Sequence, residues 1–390
     1  MNAGLRSGSE KLRICYVVSS EMTVAAFLKG HIAMAEKTYD VAVAVNTGDS
    51  DCLRKLGLSA ALLAVPIERK ISPLHDLRAL WILYRHFRRE RFDLVHSVSP
   101  KAGLIGMLAA WLAGVRVRVH TFTGQVWVTR SGWRRSVLKS ADWLIGALTT
   151  RALVDSPSQR DFLVAEGVLP AGKAHVIGHG SICGVDAERF RPHSEYRSEV
   201  RKRFSISDSA ILLLYLGRLN RDKGIRDLAA AFSKLAPRFP DIFLLLVGPD
   251  EDGQLQAVME ICGSAADRVL HAGFTGEPER FMAAADIFCL PSYREGFGMV
   301  IIEAAASGVP AVASRIYGLT DAVVDGATGL LHPPADPGAI AAVLERLIMD
   351  PEERQRMGIA ARQRARESFS DLELSKGLMA FYGTILPKCP

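Results

Sequence analysis

Two carboxylates, Glu295 and Glu303, stand with seven residues between them in YREGFGMVIIEAAASGVPAVAS, residues 293–314. The run reads as the end of a strand, a loop, a helix over 298–307 and a second strand. The loop Glu295-Gly296-Phe297-Gly298 leads into a helix whose first amide N–H groups lack intrahelical partners and point outward. A diphosphate there would satisfy those donors and meet the positive end of the helix dipole. Glycines let the backbone come close to it. Glu303 lies about a turn and a half into the helix, a distance suited to holding ribose hydroxyls. Glu295, in the loop, reaches hydroxyls of a transferred sugar. Vicinal hydroxyls are good donors to an ionised carboxylate, so two acids make chemical sense there. Taken alone, this spacing of two Glu residues fits a capping residue and a solvated helix position equally well.

Cations come from a second segment. In YLGRLNRDKGIRDLAAAF, Arg218 and Lys223 flank the end of an apolar run, where a pair of charges neutralises an anion better than it decorates a surface. Two Asp-x-Asp triplets, Asp49-Ser50-Asp51 and Asp250-Glu251-Asp252, have the look of a divalent-cation site. Each falls just after a strand-like run, where acids are ordinary turn chemistry, so no metal site is expected. His120 closes a strand in HTFTG, where a ring nitrogen can take part in hydrogen bonding or proton transfer. A histidine satisfied by backbone carbonyls is the plainer alternative. Thr121, Thr123, Gly124 and Gln125 offer hydrogen-bond donors and acceptors, and Lys101 a positive charge. Ser156 and Ser158 read as helix caps, with Ser158 a candidate for the helix that follows.

Groups so far apart in sequence need a rigid frame, and the pattern supplies one. Strand-like runs at 12–19, 41–46, 93–96, 115–120 and 152–155 alternate with helical stretches at 23–37, 74–91, 100–113 and 136–150. The helix at 74–91 places Leu77, Leu80, Trp81 and Tyr84 on one face. The alternation restarts at Ala210 with ILLLYLG, a helix over 224–236, IFLLLVG, DIFCLP and VPAVAS. Apolar runs buried on both faces between helices imply parallel sheets covered on each side, and ligands beyond their carboxyl ends. Between the halves, HSEYRSEVRKRF is charged enough for a linker, placing a boundary near 192–203. Two doubly wound α/β domains are therefore expected, residues 1–195 and 196–370, with a helix over 371–390 packing back on the first.

Bulk properties agree. A chain of 390 residues exceeds the usual reach of one core. The longest uncharged apolar stretch, 102–115, is too short to span a bilayer and holds three glycines. The N-terminus MNAGLRSGSEKLR lacks the apolar core of a signal peptide, which implies a cytoplasmic protein. Six cysteines at 15, 52, 183, 262, 289 and 389 show no metal-ligand spacing, and Cys15 and Cys289 sit in apolar strands as small hydrophobes. Residues 1–190 hold 25 Lys and Arg against 16 Asp and Glu, leaving 23 against 26 for the rest of the chain. The basic half has clusters at Arg85–Arg91 and Arg130–Lys139, which attract phosphate groups; nothing else suggests nucleic acid.

With Arg218, Lys223, Glu295 and Glu303 in order, the second half resembles the retaining glycosyltransferases of family 4, which share the GT-B fold. LLVGPDEDG, HAGFTGEPERFMAAADIFCLPSYREGFG and DGATGLLHPPADPGAIAAVLERL extend the resemblance over nearly all of that domain. It implies two Rossmann-like domains whose parallel sheets face across an interdomain cleft, and a nucleotide-sugar donor bound without a metal or other cofactor. Glu295, His120, Arg218 and Lys223 then carry the chemistry. The donor is held by Gly217, Arg218, Lys223, Phe274, Glu295, Gly296, Phe297, Gly298, Met299 and Glu303, with UDP the expected nucleotide. In the first half, HSVSPKAGLIGMLAAWLAGVRVRVHTFTGQVW, DSPSQRDFL and VIGHGSICGVDAERFRP are similar to the branch that extends lipid-linked saccharides in capsule, O-antigen or glycan assembly. That implies a saccharide on undecaprenyl diphosphate as acceptor, met by Thr23, Lys101, His120, Thr121, Thr123, Gly124 and Gln125. Many members carry glycines in the first strand–helix loop; here it is Ser19-Ser20-Glu21-Met22-Thr23, which also lacks the fingerprint of a dinucleotide site. The basic helix at 74–91, with Trp127, Trp133, Arg130, Arg134 and Arg135, suits peripheral docking on the anionic inner face of the plasma membrane. A UDP-sugar 2-epimerase of similar fold, or an inactive nucleotide-sugar-binding partner, are the competing readings.

Overall fold

The computed structural model describes residues 11–68 and 72–387. The N-terminal residues 1–10 and Cys389, both read above, lie outside that range. The chain forms two compact units, one made of Met1–Cys183 with Asp371–Pro390, the other of Gly184–Ser370.

The first unit is built on seven parallel strands: β1 (Arg13–Val17), β2 (Asp40–Val45), β3 (Ala61–Ala64), β4 (Leu94–Val98), β5 (Val117–Phe122), β6 (Arg151–Val154) and β7 (Ala174–His175). Their order is β3-β2-β1-β4-β5-β6-β7. Side chains alternate across the pleat, and β1 shows what that does. Cys15 and Val17 join one core with Leu83, Phe87 and Ile145, whereas Ile14 and Tyr16 join the other with Leu28, Ile32 and Tyr382. Helices Pro73–Glu90, Pro100–Leu112 and Gly132–Leu148 contribute to the first of these cores, and Lys29–Thr38 and Asp371–Ile385 to the second.

The second unit holds six parallel strands, β8 (Ile211–Leu216), β9 (Ile242–Val247), β10 (Val269–Gly273), β11 (Ile287–Leu290), β12 (Ala311–Ser314) and β13 (Gly329–His332), ordered β10-β9-β8-β11-β12-β13. In each sheet the first strand lies inside, the next two run out to one side of it and the later strands to the other. That is the doubly wound arrangement, and both units are Rossmann-like.

Several readings need correction. Leu77 and Trp81 do not face the core: the buried residues of helix Pro73–Glu90 are Ala79, Leu83 and Phe87, while Leu74, Leu77 and Trp81 are exposed. The charged segment near 192–203 is not a linker but the helix Ser194–Arg203. Its Arg201 is buried, donates to the carbonyls of Ser207 and Ala210, and pairs with Asp286 at 2.5 Å. Asp286 also accepts from the Leu212 amide, so this helix is tied into the second unit. Ser156, not Ser158, caps the helix Pro157–Ala165 by accepting from the Gln159 amide. The stretch read as one helix over 23–37 begins with a short turn and a π-helical segment, Val24–Leu28, before Lys29–Thr38. Strands β3, β7, β10 and β13 are too short or too broken by small and polar residues to stand out in the sequence.

Candidate active site

In the second unit, β8 and β11 are neighbours, and the loops leaving their carboxyl ends carry the expected groups. After β8 the chain passes through Gly217 and Arg218 into the tight turn Arg221–Lys223, and Gly224 follows with φ 66°. A Cβ at Gly224 would strike the Pro291 carbonyl, so only glycine lets this loop lie against the loop after β11. The Tyr293 amide donates to the Asp222 carbonyl at 2.8 Å, and Arg294 pairs with Asp222 at 2.9 Å. The Tyr293 hydroxyl donates to Asp227 at 2.6 Å. These bonds place Lys223 directly on Glu295, and Ser292 Oγ donates to the same carboxylate oxygen at 2.8 Å.

The loop then turns into the helix Met299–Ala306, capped by Gly298 at φ 80° without a capping side chain. A Cβ on Gly318 would meet the Gly296 carbonyl, so the loop is also fitted from its other side. Phe297 is buried against Phe369, with ring centroids 5.2 Å apart. Met299 is half-buried at the helix start. Glu303 follows inside the helix, and burial pushes its carboxyl up to about 7, opposed by the nearby Arg189 guanidinium. Arg218 extends to Glu251 at 2.9 Å, and its carbonyl accepts from Tyr215. Phe274, beyond β10, is largely exposed. The second unit thus gathers two cations, two carboxylates and an uncapped helix N-terminus at one end of one sheet.

Three acids of the Asp-x-Asp triplets have other work. Asp250 caps its helix by accepting from the Gln254 amide at 2.7 Å, and Asp49 and Asp51 pair with Lys55 and Arg54. Asp222, Arg294, Ser292 and Gly318 were not singled out from the sequence. Three of them lie inside the quoted motifs GRLNRDKG and PSYREGFG, which was the available signal.

The first unit treats its candidates differently. His120 is buried in β5, with Nδ1 2.8 Å from Ser97 Oγ and its ring edge-to-face with Phe122 at 4.5 Å. Burial drives its pKa down to about 3, leaving a neutral imidazole. Gly103 makes room for it, since a Cβ there would collide with the ring. Thr121 is turned inward to His96 Nε2 at 2.7 Å, and Gln125 is buried on the Thr123 carbonyl beside Gln159. Thr123 and Gly124 remain half-buried at the strand end. Lys101 sits on Asp76 at 2.7 Å, and Thr23 shares its hydroxyl with Ser20 at 3.0 Å.

The chain is similar to known proteins. Residues 197–364 match the family described as Glycosyl transferases group 1, and residues 32–180 that described as Glycosyl transferase 4-like domain. The chain is 29% identical over 323 residues to the capsular polysaccharide biosynthesis glycosyltransferase CapM of Staphylococcus aureus, across 83% of this chain and 84% of CapM. It is 30% identical over 256 residues to the Escherichia coli UDP-Gal:alpha-D-GlcNAc-diphosphoundecaprenol alpha-1,3-galactosyltransferase, across 64% of this chain and 65% of that one. In fold it is similar to HepE of Anabaena, solved in complex with UDP, with a TM-score of 0.77 and 20% identity over 96% of this chain and 100% of HepE. The chain belongs to the family 4 glycosyltransferases of GT-B fold, alongside transferases of capsule and lipid-linked saccharide assembly.

Proposed function

We propose that this transferase moves a hexose or N-acetylhexosamine from a UDP-sugar to a saccharide carried on undecaprenyl diphosphate, with retention of anomeric configuration and without a metal. The observation that carries the donor half is the Lys223–Glu295 pair beside the uncapped start of helix Met299–Ala306, with Glu303 further along that helix. Lys223, Arg218 and the helix amides would meet the diphosphate, which gains negative charge as the sugar leaves. Fixed cations and dipoles stabilise that charge without an ion. Glu303 would take the ribose hydroxyls and Glu295 those of the sugar. Retention follows if the acceptor attacks from the face that the diphosphate leaves, with no protein nucleophile.

For the acceptor half, the support is likeness. The Escherichia coli relative is named for a diphosphoundecaprenol-linked sugar and CapM for capsule synthesis. His120, neutral at ordinary pH, suits orienting a hydroxyl by hydrogen bonding better than removing its proton.

Thermal unfolding in EDTA with UDP, GDP or ADP, on wild type and Glu303→Ala, tests the donor site. A ligand at a hundredfold excess over its Kd stabilises the native state by about 2.7 kcal/mol. The expected result is a shift selective for UDP that fades in Glu303→Ala. A shift that needs added metal, or one that Glu303→Ala leaves intact, overturns the assignment.

A further inference from the structure

In the first unit, helices Pro73–Glu90, Pro100–Leu112 and Gly132–Leu148 pack side by side and send Ala79, Leu83, Phe87, Ala110 and Ile145 into one core. Their other sides form one outward surface. The chain has five tryptophans. Trp127 is buried, its indole N–H donating to Asp142 at 2.8 Å. The other four all lie on these three helices: Trp81, Trp111, Trp133 and Trp143 are 56%, 53%, 72% and 55% exposed. On the first helix, Leu74 and Leu77 are also exposed and share the stripe of Trp81, opposite Ala79, Leu83 and Phe87. A single exposed apolar residue needs no explanation, but four exposed indoles distributed over one helical layer do.

Charge says what covers the surface. The three helices hold eight Lys and Arg against three Asp and Glu. Of those acids, Asp76 is paired with Lys101, Glu90 with Arg13, and Asp142 is buried. Arg78, Arg85 and Arg88 are exposed on the first helix. Arg85 lies over the Trp81 ring at 4.8 Å, and Arg134 near the Trp133 ring at 5.6 Å. A second copy of this surface would bring the same excess of positive charge against itself. Aliphatic Leu74 and Leu77 give a nucleic-acid base no ring to stack on, whereas acyl chains accept them. Indoles prefer the boundary between headgroup and acyl chain, and arginines meet the phosphates. No helix among the described residues is long and apolar enough to cross a membrane.

We propose that the outer surface of these three helices docks the protein on an anionic lipid bilayer, with the four tryptophans seated at the headgroup–acyl boundary. Of the tryptophans read from the sequence as facing a membrane, Trp133 lies on this surface and Trp127 is in the core. Docking is independent of the sugar-transfer reading: either can fail while the other stands. If both hold, docking brings the first unit to the bilayer in which a polyprenyl-linked acceptor resides.

Flotation of the full chain with vesicles of equal phosphatidylglycerol and phosphatidylcholine, or of phosphatidylcholine alone, tests it. Binding to the anionic vesicles, weakened by salt and accompanied by a blue shift of tryptophan emission, is expected. Trp81→Ala, Trp133→Ala and Trp143→Ala together should weaken it at least about tenfold. Ile359→Ala, an exposed apolar residue of the second unit, should leave it unchanged. A calorimetric unfolding transition of the first unit close to that of wild type shows that the triple variant is folded. The proposal falls if wild type stays off anionic vesicles, or if the folded triple variant binds as wild type does. It also falls if sedimentation shows self-association through the same residues and no vesicle binding.

Discussion

Glu295 and Glu303 share a site but not an environment. Glu295 is held by Lys223 and the Ser292 hydroxyl. Glu303 is desolvated, and its carboxyl rises from an ordinary 4.5 to about 7. Below about 7 the free protein therefore carries Glu303 protonated; above it, a carboxylate able to accept from two hydroxyls. Affinity for a UDP-sugar should rise several-fold as pH climbs through that value. Calorimetric titration with the intact UDP-sugar reads this cleanly, because its diphosphate does not titrate there. Glu303→Gln should bind more weakly at high pH and lose the rise. The same raised pKa carries a stability signature. The folded state keeps a proton that the unfolded state releases, so the stability this group contributes is present below 4.5 and is lost as pH rises to about 7. A rise in affinity that survives in Glu303→Gln would assign the titration to another group.

At the scale of elements, the first unit depends on close approach between a helix and a strand. Gly103, in helix Pro100–Leu112, lies against the His120 ring of β5, and that ring is held from its other side by Ser97 and Phe122. A methyl group here has nowhere to go, so Gly103→Ala should cost about 1–3 kcal/mol of stability, the usual penalty of overpacking. Sugar transfer should fall while the UDP-induced thermal shift persists, because the UDP site proposed here lies in the second unit. An unchanged transfer rate in a folded Gly103→Ala protein would remove His120 from the reaction.

This contact also marks the limit of what the sequence revealed. The strands β1, β2, β8, β9 and β11 were legible because each is a continuous apolar run covered on both faces. The glycine-led helix carrying Glu303 was legible from its loop chemistry. Helix Pro73–Glu90 was misjudged because it has two apolar stripes. The buried one, Ala79-Leu83-Phe87, includes a small residue and is less conspicuous than Leu77-Trp81. Which stripe faces inward depends on the sheet beneath, not on the helix. The partners that fix the site, Asp222 with Arg294 and Ser292 with Glu295, meet only once β8 and β11 are neighbours. Arg201 was read as a linker charge because its partner, Asp286, lies far along the chain.

For the whole molecule, the final helix sets the accounting of stability. Asp371–Ile385 belongs to the first unit although 184–370 form the second. It buries Leu374, Leu378 and Tyr382. The Tyr382 hydroxyl lies 2.5 Å from His96 Nδ1 and donates to Tyr16 at 3.1 Å, while Ser375 Oγ lies 2.9 Å from His31 Nδ1. Removing residues 371–390 would therefore strip three large side chains from the core and take the Nδ1 partners of buried His31 and His96, and the Tyr382 partner of Tyr16, away. Each large deletion costs about 2–5 kcal/mol, and a domain holds only about 5–15 in total. The first unit should lose its cooperative fold. The core of the second, from Val185 through Phe369, contains nothing from beyond Ser370. Calorimetry of the truncated chain should thus show one remaining transition, and UDP should still raise it. A truncated chain that unfolds in a single transition insensitive to UDP would show instead that the second unit cannot hold its nucleotide site without the first.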